Sequence, residues 1–167
     1  MNTSVSVRSV EHCNARVAAE LHAVQFAAYS QEAQLLGVRN FQPLMRTVSE
    51  VQRSGEAYLA AFVGARMVGA IGVEPANERQ GTCIASLVVL PEFQRRGIAT
   101  RLLAAVVAAC GGKALHVQTG IKNEPALALY ARAGFVQARR WRVGPESLEL
   151  VALVRAAEVG ARAHNAT

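Results

Sequence analysis

Leu87-Val88-Val89-Leu90-Pro91-Glu92-Phe93-Gln94-Arg95-Arg96-Gly97-Ile98-Ala99-Thr100 runs from an apolar strand, through a basic turn, into the start of a helix. The pattern stays helical from Gly97 to Cys110, with Ile98, Leu102, Leu103, Val106 and Val107 apolar, and Gly111-Gly112 ends it. The first N–H groups of such a helix have no partner inside it and point at whatever precedes them. The helix dipole favours negative charge at the same place. Gly97 and Ala99 keep bulk away from the backbone, and Arg95 and Arg96 add positive charge nearby. The segment reads as a pyrophosphate cradle. It is not a Walker loop, because G-x-x-x-x-G-K-[ST] is absent.

Upstream of this segment, Thr82–Leu90 reads as a strand bounded by Pro91, and Pro75–Gly81 as a polar loop. Ala57–Val63 and Met67–Val73, joined by Gly64-Ala65, read as a hairpin. Val5–Arg8 reads as a first strand. A helix spans Glu11 to Gly37, with Val17, Leu21, Val24 and Ala28 near one face, and Pro43 opens a second helix ending near Ser54. Downstream, Ala114–Thr119 is a strand and Asn123–Ala133 a helix, with Asn123 as N-cap and Pro125 in its first turn. Phe135–Val143 and Ser147–Val154 are two further strands around Gly144-Pro145. Strands and helices mixed in this order predict a single α/β sheet domain over residues 1–155. The tail, 156–167, carries no strong pattern and is expected to fray or be disordered.

Composition narrows the function classes. A chain of 167 residues that is 51% hydrophobic and 18% charged is globular, not disordered, and suits one core. No apolar run reaches the ~20 residues of a membrane span. Met1–Val10 has no signal-peptide core, so a cytoplasmic location is the expectation. Cys13, Cys83 and Cys110 match no metal spacing and are expected to be reduced thiols, and no metal is expected. The net charge of +6 suits an anionic partner or reflects compositional bias, and both readings stay open. The densest cluster, Arg139-Arg140-Trp141-Arg142, is too short to decide between them. Without a helix-turn-helix or RNP motif, nucleic acid is not the expected partner.

A second block stands downstream, Asn123-Glu124-Pro125-Ala126-Leu127-Ala128-Leu129-Tyr130-Ala131-Arg132-Ala133-Gly134-Phe135. It matches N-x-x-A-x-x-L-Y-x-x-x-G-F, and Gln94-Arg95-Arg96-Gly97-Ile98-Ala99 matches Q/R-x-x-G-x-G/A. Both patterns, at this separation, resemble those of the GNAT superfamily of acyl-CoA-dependent N-acyltransferases. The element order agrees from Val5 to Val154, so the resemblance covers nearly the whole chain. It implies a mixed, mostly antiparallel central sheet flanked by helices.

The resemblance also implies roles. Leu87, Val88 and Val89 would offer backbone groups to the pantetheine amides of acetyl-CoA, which add to the strand edge as another strand would. Arg95, Arg96, Gly97, Ile98, Ala99 and Thr100 would hold its pyrophosphate. Asn123 would contact the cofactor near the acyl end, and Tyr130 would protonate the leaving thiolate. For each there is a structural alternative: solvated turn arginines, a helix cap, a packed core tyrosine. Asn123 and Tyr130 lie about two turns apart on one helix face, which fits either reading.

The general base is not evident. Some relatives carry a glutamate five residues before the motif asparagine, where this chain has Gln118, and others carry one on the strand where Thr82–Leu90 has no carboxylate. A water relay or an amine that arrives neutral would remove the need. Tyr29-Ser30-Gln31-Glu32-Ala33 places Tyr29 and Glu32 on one helix face, beside the acceptor pocket of this fold. Glu32 would bind a cationic amine or act as base, against the plainer reading of a solvated carboxylate. Glu74 and His116 are weaker candidates. The expected activity is direct transfer of an acetyl group from acetyl-CoA to a primary amine, of a small molecule or an exposed protein amine. The alternative is a non-catalytic acyl-CoA-binding or regulatory module. A homodimer is left open, and no membrane partner is expected.

Overall fold

The computed structural model describes residues 4–77 and 81–159. Its elements are β1 (Val5–Val10), α1 (Ala15–Leu36), α2 (Val48–Arg53), β2 (Ala57–Val63), β3 (Arg66–Asn77), β4 (Gly81–Val89), α3 (Ile98–Ala109), β5 (Leu115–Gly120), α4 (Glu124–Arg132), β6 (Val136–Val143) and β7 (Leu148–Arg155). The strands form one sheet in the order β1-β2-β3-β4-β5-β7-β6. Every neighbouring pair is antiparallel except β4 and β5, which are parallel and joined through α3. This is the single α/β domain that the sequence predicts. No helix among the described residues is long and apolar enough to cross a membrane.

The apolar periodicity places the helices. Leu21, Val24 and Ala28 of α1 are buried, as are Ile98, Leu102, Leu103 and Val106 of α3. Close packing depends on small residues in the sheet: a Cβ at Gly69 would meet Ile98 and Leu102 at 3.2 and 3.3 Å. A Cβ at Gly120 would lie 2.4 Å from Leu36. Asn14 caps α1 through the N–H groups of Arg16 and Val17, and Gly37 ends it in the left-handed conformation.

Three boundaries differ from expectation. α1 starts at Ala15, behind the Asn14 cap, and not at Glu11. Pro43 does not open a helix reaching Ser54. A 3₁₀ turn at Gln42–Met45 stops, Arg46 is extended, and α2 starts afresh at Val48. The new start is imposed by Thr47 and Glu50, which form a reciprocal capping box. Pro75 lies within β3, not in a loop, and β4 begins at Gly81. A strand tolerates proline where its missing N–H leaves no ladder bond unmade. Of the tail, residues 156–159 are described, and the N–H of Glu158 bonds the Gly112 carbonyl at 2.8 Å. The rest lies outside the described residues. The arginine cluster falls on β6, at the sheet edge, where Arg139 stacks over Trp141 and Arg142 faces Glu149 at 3.6 Å.

Candidate functional site

The sheet opens at its middle. β4 and β5 pair at only three positions, Thr82 with Leu115, Cys83 with His116 and Ile84 with Val117. From Ala85 onward β4 pairs only with β3, and from Gln118 onward β5 pairs only with β7. The parting starts at a bulge: Gly72 pairs with Ser86 and Val73 with Ile84, which leaves Ala85 as the extra residue. The edge of β4 from Ala85 to Val89 is therefore free on the β5 side. The side chains of Val88 and Val89 are buried, so these residues can offer a ligand only their backbone. The Val89 carbonyl already accepts from Gln94 Nε2 at 3.2 Å.

A cleft of about 550 Å³ fills this gap. Tyr29 and Glu32 from α1, Ser86 and Leu87 from β4, Gln118 from β5 and Tyr130 from α4 all line it. One bond ties α4 to α1 here: Asn123 caps α4 through the Ala126 N–H at 3.2 Å, and its amide donates to Glu32 Oε1 at 3.1 Å. Burial raises the Glu32 carboxyl above the ordinary glutamate value, and the Asn123 hydrogen bond opposes that only in part. Burial also raises the Tyr130 hydroxyl, helped by Tyr29 and Glu32 nearby. Tyr29 is raised by burial and then by the Glu32 charge. Both phenols thus stay protonated at neutral pH. Tyr130 packs edge-on against Phe135 at 5.3 Å, and Tyr29 against Phe41 at 5.9 Å, which fixes the rings.

At the other end of β4 lies the basic turn. Arg95 and Gly97 both have positive φ, 61° and 76°, and α3 begins at Ile98 with no side chain capping it. A Cβ on Gly97 would touch nothing within 4 Å, so the helix start faces open space. Glycine is there for its backbone conformation, not because neighbours crowd it. Arg96 lies over Phe93 and donates to the Glu92 carbonyl, and Gln94 also bonds Gln31 of α1 at 2.7 Å. The turn is thereby tied to both β4 and the helix that carries Glu32.

Other functional candidates escape a reading of the sequence. Glu146, in the β6–β7 turn, accepts from the Arg39 and Asn40 N–H groups at 2.9 and 2.8 Å, so this turn roofs the cleft. Those backbone bonds hold its carboxyl below the ordinary range. Behind Tyr29, Glu56 binds Arg46 at 3.0 Å and accepts from the Tyr58 hydroxyl, whose pKa is pushed up to about 12 by burial and by Glu56. Ser86 Oγ is buried without a hydrogen-bond partner beside this cluster. Glu56 and Tyr58 stand two residues apart in the chain, but Ser86 joins them only across Gly72, which no sequence spacing encodes. Glu74 and His116 do not line the cleft.

Comparisons with known proteins agree with this fold. Residues 18–135 match the model of the Acetyltransferase (GNAT) family. The UPF0157 protein YqkA of Bacillus subtilis is 31% identical over 133 residues, 79% of this chain and 38% of its own length. The N-alpha-acetyltransferase MAK3 of Arabidopsis thaliana is 35% identical over 85 residues, 48% of this chain and 45% of its own length. The chain thus spans less than half the length of these curated relatives. Among solved structures, the ribosomal-protein-S18-alanine N-acetyltransferase of Escherichia coli superposes with a TM-score of 0.71 at 16% identity, over 95% of this chain and 98% of that one. The PaiA N-acetyltransferase of Thermoplasma acidophilum, solved with coenzyme A, gives 0.69 at 14% identity, over 93% and 99%. At such identities the likeness is one of fold.

Proposed function

The chain belongs to the GNAT acetyltransferase family, and we propose that it moves an acetyl group from acetyl-CoA directly to a primary amine held beside Glu32. One observation carries this reading: the free edge of β4 runs from the open start of α3 at one end to the Glu32–Asn123–Tyr130 group at the other. A long, thin donor with phosphates at one end and a thioester at the other fits that path.

The chain's own groups then divide the work. Arg95, Arg96 and the N–H groups of Gly97 to Thr100 hold the pyrophosphate. Backbone groups of Leu87 to Val89 take the pantetheine amides as an added strand. Glu32 holds the arriving ammonium and, with its carboxyl raised by burial, removes a proton from it. The neutral amine attacks the thioester carbonyl, the nitrogen of the tetrahedral intermediate gives its extra proton to solvent, and the oxyanion collapses as the C–S bond breaks and the thiolate leaves. Tyr130, kept protonated by burial, gives that thiolate its proton. Gln118 lines the cleft but cannot accept the amine proton at neutral pH. A cytoplasmic setting, where acetyl-CoA is at hand, accords with the free thiols of Cys13, Cys83 and Cys110.

The test is a melting curve together with free-thiol detection. A ligand that binds only the native state at a hundredfold excess over Kd adds ~2.7 kcal/mol of stability. Acetyl-CoA and CoA should both raise the Tm by several degrees, and a primary amine should then release thiol. An unmoved melting curve at saturating acetyl-CoA removes the donor assignment.

A further inference from the structure

We infer that the acceptor is a small, apolar primary monoamine with no carboxylate or phosphate beside the reacting nitrogen. The inference rests on the acetyl-transfer reading and narrows it to one chemical class.

Charge comes first. The chain carries a net charge of +6, yet among the described residues no lysine, arginine or histidine side chain lines the cleft, and the charged groups that do line it are Glu32 and Glu146. Arg46 is bound through both terminal nitrogens to Glu56, and the side chain of Arg39, beside Glu146, is exposed. A free amino acid would bring its carboxylate within reach of Glu32 with no partner to receive it. Like charges placed together in a partly dry site are strongly disfavoured.

The number of cation sites comes second. Glu32 spends one oxygen on Asn123 and keeps the other for a ligand. Glu146 is committed differently: both of its oxygens accept backbone N–H groups of Arg39 and Asn40. Glu32 is therefore the half-buried carboxylate with an oxygen open to an ammonium, and the second ammonium of a diamine would face only the exposed Glu146, already shared between two N–H groups.

The lining supplies the rest. Between Glu32 and the Glu146 roof the cleft is walled by Val38, Phe41, Pro43, Val143, Pro145 and Leu148. Such walls suit a hydrocarbon or aromatic body, and the polar side chains that also line the cleft, among them Asn40, Gln42, Gln118 and Thr119, are neutral and offer an anionic body no counter-charge. The roof also crosses the acceptor end of the cleft, which favours a free small molecule over a side chain on a folded protein.

Binding to the CoA-loaded enzyme, by calorimetry, tests this without relying on turnover. The probes are phenethylamine against phenylalanine, and hexylamine against 1,6-diaminohexane. Each monoamine should bind at least about a hundredfold more tightly than phenylalanine and about tenfold more tightly than the diamine. Glu32→Gln should lose the monoamine and leave CoA binding as it was. Monoamine binding with that selectivity but no thiol release from acetyl-CoA would uphold the acceptor class and sink acetyl transfer. Phenylalanine or the diamine binding as well as its partner, or no probe binding at all, overturns the inference.

Discussion

The Asn123 amide donates to Glu32 at 3.1 Å, joining the cap of α4 to the C-terminal end of α1 across 91 residues of chain. The other end of the same amide is fixed by the Ala126 N–H, so Asn123 cannot turn away without uncapping its helix. Glu32 is thus held in a half-buried place where its charge is disfavoured.

Stability should therefore depend on the charge of Glu32. Its folded pKa is raised, so the native state prefers the protonated form. That preference contributes fully below the unfolded pKa and is lost as pH rises through the folded one. Glutamine keeps the Asn123 hydrogen bond and stays neutral. Glu32→Gln should melt above wild type at pH 8, and the two curves should converge below about pH 4. Amine turnover should fall about a hundredfold. Parallel pH curves with no gap at pH 8 would return Glu32 to a solvated role.

Tyr130→Phe keeps the packing on Phe135 and removes only the hydroxyl. The thiolate is already a fair leaving group, since a free thiol has pKa ~8.5. The expected loss in kcat is roughly ten- to a hundredfold, at or below the low end for acid–base catalysis, with acetyl-CoA affinity within a few-fold of wild type. The loss should shrink with a donor whose thiol is more acidic. Unchanged kcat, with the chemical step limiting, removes Tyr130 from the reaction.

Gly97 separates backbone conformation from space. Its φ of 76° suits glycine, but no neighbour would meet a Cβ. Asparagine tolerates the left-handed region and valine does not. Gly97→Asn should melt within a few degrees of wild type, whereas Gly97→Val should cost about 1–2 kcal/mol or more. Both should weaken CoA binding, because either side chain enters the space in front of α3. CoA titrations of the folded variants decide, and wild-type affinity in Gly97→Asn would count against the phosphate cradle.

At Gly72 the limit is contact. An added methyl would lie 2.8 Å from both Tyr58 Cε1 and Ser86 Oγ and 3.0 Å from Glu56 Oε2. Gly72→Ala should destabilise by about 1–3 kcal/mol, read as a lower denaturation midpoint. An equal or higher midpoint would mean that the Glu56–Tyr58 pair moves aside freely.

What the sequence made legible was local. The cradle segment, the Asn123 cap and the Tyr130 face each follow from a few neighbouring residues, and the structure keeps them on one open path. Thr47–Glu50 was equally local, a capping box that explains why the second helix starts late, but the eye goes to Pro43. Glu146 and Glu56 were hidden for another reason. Glu146 bonds backbone over a hundred residues away, and Glu56, though two residues from Tyr58, comes close to Ser86 only across a bare glycine. Only the folded sheet makes them neighbours of the cleft.

The three-pair ladder between β4 and β5 has a thermodynamic consequence. It is the narrowest join in the sheet, and a donor lying along it would bond where strand-to-strand bonds are missing. Donor affinity and the cohesion of the two halves of the sheet are then one coupling free energy read from two sides. Leu115 is fully buried on β5 and does not line the cleft. Trimming it would loosen the join and weaken donor affinity together, though it need not touch the ligand.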